Sequence, residues 1–141
     1  MTTLLAVERF LAPHRYPQHE VSRWVREWLE EDASGASARL LAVYGSAGVK
    51  TRASVVPIEE VFRPGDFETQ NDRYREIARA AGIDLARRTL EAARLAPAEI
   101  DLLVSVSCTG FMIPALDAYV ADALGMGPRL ARLPMPLESE P

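Results

Sequence analysis

Val104-Ser-Val-Ser-Cys-Thr-Gly-Phe-Met-Ile-Pro-Ala-Leu-Asp117 is the stretch whose reading decides the fold. Leu102 to Val106 is apolar and β-branched enough for a strand covered on both faces. Gly110 permits a turn that a bulkier residue would resist, and Pro114 fixes φ where a helix can begin. A turn of this kind presents side chains at the end of a parallel strand, where α/β folds place their sites. Cys108, the one cysteine of the chain, sits there.

Working outward, Asp101 to Ser107 is the predicted strand, Ala115 to Leu124 the helix after it, and Leu130 to Met135 a further strand. Before them the longest element runs from about Glu68 to Arg94, with Asp66 as its N-cap and Pro97 beyond its end. At about 100° per residue, Asp84, Arg87, Arg88, Glu91 and Arg94 share one flank. Ile83, Leu85, Ala86, Leu90, Ala92 and Ala93 sweep over much of the rest, an arc suited to a helix packed on two sides. Toward the N-terminus, Leu4 to Phe10 reads as a first strand and Pro13 to Pro17 as a turn region. His19 to Asp32 reads as a helix with Val21, Trp24, Val25, Trp28 and Leu29 on one face, broken by Ser34-Gly35. Ser37 to Ser46 is a shorter helix closed by Gly48, Thr51 to Val56 is extended, and Pro57 to Gly65 is irregular. The order β-α-α-β-α-β-α-β predicts an α/β fold with a largely parallel sheet.

Composition narrows the function. The 141 residues are enough for one ordinary domain with its own core. A net charge of −4, with Lys50 the single lysine, argues against a nucleic-acid footprint. One cysteine makes no internal disulfide, no apolar run approaches the roughly 18 residues of a membrane span, and the N-terminus has no basic leader. These features predict a cytoplasmic protein with neither nucleic-acid nor membrane partners. The sequence shows no phosphate-binding glycine loop and no metal-ligand cluster, so no metal or resident cofactor is expected.

Ser107-Cys-Thr-Gly-Phe-Met-Ile-Pro-Ala115, with Leu124-Gly-Met and Arg132-Leu-Pro-Met135 behind it, resembles the bacterial type III polyketide synthases. These are the chalcone- and stilbene-synthase-like enzymes of the thiolase superfamily. The resemblance extends back through Ala47-Gly-Val-Lys-Thr-Arg52 and stops after Met135. It implies an incomplete N-terminal half of a thiolase-like fold over residues 1–135, followed by a non-matching tail at 136–141. In that fold one helical layer is sandwiched in the middle, which the long helix before Arg94 would supply.

The family is one of acyltransferases that load a starter acyl-CoA on a cysteine thiolate and extend it with malonyl-CoA, acting as homodimers. A histidine activates the thiolate, and with an asparagine it stabilises the enolate and oxyanion. Counted along the chain, the nucleophile would fall at Glu140, where the sequence reads Pro136-Leu-Glu-Ser-Glu-Pro141 rather than Gly-Cys. No catalytic residue of the family is therefore expected here, and this chain alone is expected to be inactive, as a truncated or frame-shifted product.

Cys108 is not expected to be the nucleophile, since His14 and His19 lie at the far end of the sequence. The resemblance makes Cys108 and Thr109 lining residues of the acyl pocket; an inert small side chain is the competing reading for Cys108. Ile113 matches a position that reaches the partner subunit's cavity, and Lys50 and Arg52 match basic positions that meet CoA phosphates. Two solvated surface cations are the alternative for that pair. At the level of the whole chain, a ketoacyl synthase III-like piece and a non-catalytic partner of a full-length synthase remain open.

Overall fold

The structure is a computed structural model that describes residues 1–30, 37–63, 65–108 and 110–136. The predicted break at Ser34-Gly35 and the tail from Leu137 to Pro141 lie outside the described residues. The chain divides into two compact units, Leu11–Pro64 and Met1–Phe10 with Gly65–Pro141.

In the first unit, β1 (His14–Pro17) pairs antiparallel with β2 (Thr51–Ser54), in the register His14↔Ser54 and Tyr16↔Arg52. Between them run α1 (Gln18–Glu30) and α2 (Ser37–Ser46), and α3 (Ile58–Val61) follows β2. Val21, Val25 and Leu29 recur every four residues of α1 and are its buried residues, joined in the core by Ile58. Burying side chains of this size stabilises by about 1.5–3 kcal/mol each, which is why this stripe rather than the whole apolar face governs packing. Trp24 packs on the cluster and stacks on Phe62, whereas Trp28 is 48% exposed. The expected helix at Ser37 to Ser46 has those bounds, and Gly48 beyond it has φ +64°. The region from Pro57 to Gly65 is not wholly irregular: Pro57 stands at the N-cap of α3, and Tyr16 Oη accepts a 3.0 Å hydrogen bond from the Ile58 N–H.

The second unit is built on α4 (Phe67–Ala93), β3 (Leu102–Ser107), α5 (Leu116–Ala123) and β4 (Ala131–Pro136), with a 3₁₀ turn at Pro97–Glu99. Asp66 caps α4 as expected, its carboxylate accepting from the Thr69 N–H at 2.7 Å. That bond holds the Asp66 carboxyl below its ordinary value, because a backbone donor favours the charged form. Arg94 ends the helix in the left-handed region at φ 58°. Close approach of α4 and α5 occurs at Gly82, where a Cβ would come within 3.1 Å of a Leu116 methyl. β3 and β4 run parallel, with Leu102↔Ala131 and Val104↔Leu133 in register. The parallel pairing expected for this segment is present, while β1 and β2 form a separate antiparallel ribbon.

Pro13 to Pro17, expected as a turn region, holds strand β1 instead, and three further expectations are corrected. Leu4 to Phe10 is not a strand: it has no ladder partner among the described residues, and Leu4, Leu5 and Val7 are exposed. A strand forms only against a neighbour, and here the contacts are Arg88 reaching Glu8 at 2.9 Å and the Arg9 carbonyl. β3 is not covered on both faces. Leu103, Ser105 and Ser107 are half-buried, but Leu102, Val104 and Val106 are exposed, because the helices lie on one face only. For the same reason α4 has no fully buried residue; α5 packs against it, and its broad apolar arc is half-buried rather than sandwiched.

Candidate functional site at the end of β3

Past Ser107 the chain leaves the sheet, and two residues of α4 grip it on either side of the turn. Tyr74 Oη and Ser107 Oγ are 2.5 Å apart, and Ser107 Oγ donates to the Gly110 carbonyl at 3.3 Å. With the serine proton used on that carbonyl, Tyr74 is the donor to Ser107. One helical turn earlier, Asn71 Oδ1 accepts from the Phe111 N–H at 2.9 Å. A Cβ at Gly110 would overlap the Tyr74 ring, so only glycine lets the turn lie this close to α4. The Ile113–Pro114 peptide that follows is cis, and Ala115 is the N-cap of α5.

Asp117, in the first turn of α5, is 1% exposed. Its Oδ2 accepts from Arg132 Nη1 of β4 at 3.2 Å and its Oδ1 from Ser105 Oγ of β3 at 3.4 Å. One carboxylate thus ties the helix to both strands. Burial of such a charge is tolerated only because it is paired and hydrogen-bonded.

These contacts frame a cavity of about 240 Å³, walled by Tyr74, Ser107, Phe111, Met112, Leu116 and Met135 among others. That is below the roughly 300–1,000 Å³ of ordinary ligand pockets, so the unit offers a wall for a ligand rather than an enclosure. Its lining is mostly apolar, with Tyr74, Ser105 and Ser107 as its hydroxyl-bearing residues.

Of the residues singled out in the sequence, Cys108 stands exposed directly after Ser107, outside the cavity lining. Thr109 lies outside the described residues. Ile113 is 73% exposed. Both histidines belong to the other unit, so the unit holding Cys108 contains no imidazole to activate a thiolate. Lys50 and Arg52 come together on the first unit. Lys50 is exposed and its carbonyl accepts from the Gln18 N–H at 2.9 Å, while Arg52 is half-buried against Gln18 and Tyr44. The sequence reading missed Asn71, Tyr74, Asp117 and Arg132. An acidic residue within the apolar run from Ala115 to Val120 was the one available signal, pointing to a buried, paired Asp117.

No family model matches the chain. It is 38% identical over 135 residues to 1,3,6,8-tetrahydroxynaphthalene synthase of Streptomyces peucetius subsp. caesius, a match covering 95% of this chain and 35% of that protein. It is 29% identical to phloroglucinol synthase of Pseudomonas fluorescens, over 87% of this chain and 36% of the relative. The crystal structure of 1,3,6,8-tetrahydroxynaphthalene synthase from Streptomyces coelicolor, a bacterial type III polyketide synthase, superposes with a TM-score of 0.76 and 28% identity. That superposition covers 90% of this chain and 36% of the other. The chain spans about a third of the length of the relatives it matches. It has an α/β, thiolase-like fold, and it belongs to the type III polyketide synthases, corresponding to an N-terminal part of them.

Proposed function

We propose that this chain forms the N-terminal wall of a homodimeric acyltransferase that condenses a starter acyl-CoA with malonyl-CoA. The observation that carries the reading is the end of β3, a parallel strand delivering Ser107 and Cys108 to a turn beside an apolar cavity. The 38% identity to a tetrahydroxynaphthalene synthase supports that reading. In this reading a cysteine thiolate attacks the acyl-CoA carbonyl and expels the CoA thiol. Decarboxylation of a malonyl unit then gives the enolate that attacks the thioester carbonyl. The nucleophile, histidine and asparagine of that chemistry have no match in this chain, which supplies walls and charge.

Within that scheme, Cys108 and Thr109 shape the acyl pocket without taking part in transfer, and Ile113 reaches toward the second subunit. Lys50 and Arg52 meet the phosphates of CoA. The names of two matched relatives, tetrahydroxynaphthalene and phloroglucinol synthase, favour a polyhydroxylated arene as product. The protein would act in the cytoplasm.

Intact-mass spectrometry tests this reading. The chain alone is incubated with malonyl-CoA, in parallel with a chimera in which its residues 3–135 replace the matching segment of the Streptomyces peucetius synthase. The expected result is no acyl adduct on Cys108 in the chain alone, and a thioester on the synthase's nucleophile in the chimera. An acyl adduct on Cys108 of the chain alone, or a folded chimera that never loads, overturns it; in the second case a non-catalytic docking role is the reading that survives.

A further inference from the structure

We propose that Gln18 and Tyr44 are positioning residues that hold Arg52 as a ready-made fork for the diphosphate of a nucleotide thioester. The inference rests on the acyl-CoA reading above and adds residues that no resemblance supplied. Arg52 Nε donates to Gln18 Oε1 at 2.9 Å, and its Cζ lies 4.9 Å from the centroid of the Tyr44 ring. Gln18 is fixed in turn, its Nε2 donating to the Tyr44 carbonyl at 3.0 Å and its backbone N–H to the Lys50 carbonyl. One edge and one face of the guanidinium are therefore committed. The edge formed by Nη1 and Nη2 has no partner among the described residues.

What holds Arg52 matters as much as that it is held. Arg23, Arg75, Arg87, Arg88 and Arg132 each pair with a carboxylate, which offsets their charge. Arg52 is held by an amide oxygen and an aromatic face, so its full positive charge is left for an external anion. Its planar fork suits two phosphate oxygens, and less rotamer freedom is lost on binding because two contacts have already fixed the plane. Lys50 is exposed just ahead of β2, two residues and about 7 Å along the chain from Arg52. A second cation at that distance, on a flexible stem, complements a ligand bearing two linked phosphates better than a single anion.

Titration of the whole chain with inorganic pyrophosphate at low salt, followed by competition with CoA, tests the proposal, with thermal unfolding and circular dichroism verifying the fold of each variant. Arg52→Lys keeps the charge and loses the fork, and is expected to weaken pyrophosphate at least tenfold. Gln18→Glu places a carboxylate beside Nε and is expected to weaken it by a similar factor. Tyr44→Leu is expected to lose several-fold and Tyr44→Phe to bind like the parent, a split that a purely structural role would not produce. Binding that depends on Arg52 but ignores Gln18→Glu and Tyr44→Leu overturns the positioning inference and leaves the acyl-CoA reading standing. Pyrophosphate binding with all these dependences, but no competition by CoA, supports the fork and contradicts the acyl-CoA reading. No pyrophosphate binding by the folded parent overturns the site itself.

Discussion

The ring of Tyr74 on α4 fills the space that a side chain at position 110 would need, and its hydroxyl holds Ser107 at the end of β3. Helix and strand end therefore meet through an aromatic ring and a missing Cβ. Gly110→Ala is expected to cost about 1–3 kcal/mol through overpacking. Tyr74→Phe, which removes only the hydrogen bond, is expected to cost about 1 kcal/mol. Urea unfolding of Gly110→Ala, Tyr74→Ala and the double variant should be non-additive, since truncating the ring relieves the clash. Additive losses would mean that the two positions do not touch.

Asp117 is buried while its partner Arg132 is 45% exposed on its side chain, so removing either end is not equivalent. Arg132→Met leaves a buried carboxylate with only Ser105 to pair it among the described residues, and is expected to cost about 1–3 kcal/mol, below the full penalty because solvent screens the arginine. Asp117→Asn keeps an acceptor for Ser105 without the charge and should cost less. The order of the two denaturation midpoints checks this, and the reverse order would contradict it.

The Asp66 cap carries a pH signature. Its folded-state pKa is depressed by the Thr69 N–H, so its contribution is present above the ordinary aspartate value of 3.8 and is lost as pH falls below it. Asp66→Asn keeps a side-chain acceptor at the cap but does not titrate. Melting temperatures of the two proteins should differ at neutral pH, and the gap should narrow as pH falls below 3.8 and through the depressed folded-state pKa. A gap that stays constant with pH would show that the carboxylate does not gain from the bond.

Leu102, Val104 and Val106 present an apolar row on a two-stranded parallel sheet, 45–56% exposed. Exposed strands of this composition template further pairing. Concentration-dependent self-association is expected in size-exclusion chromatography, and Val104→Lys should reduce it without changing the far-ultraviolet spectrum. An unchanged monomer at all concentrations would contradict this.

Legibility in the sequence followed the range of the contacts. α2, α4 with its Asp66 cap, and the succession β3, turn, α5, β4 are set by local periodicity, glycines and caps, and were readable to within a residue or two. β1 was not: His14-Arg-Tyr-Pro17 lies between prolines and is a strand only because β2 pairs with it. Leu4 to Phe10 has strand composition but no ladder partner among the described residues, so composition misled. α3 is a single turn after Pro57, too short for a period to show. At the candidate site, the turn with Cys108 was visible because its residue types are distinctive. Its support was hidden, since Tyr74 meets Ser107 across 33 residues; so, in the other unit, was the tie of Arg52 to Gln18 across 34.

The central claim is that residues 3–135 serve as the N-terminal part of a working type III polyketide synthase. The most direct measurement is product analysis by mass spectrometry for the Streptomyces peucetius chimera fed malonyl-CoA, beside the parent synthase. The account predicts a condensed, decarboxylated polyketide from the chimera and none from the chain alone. A chimera that folds, loads malonyl units and releases no condensed product would contradict it.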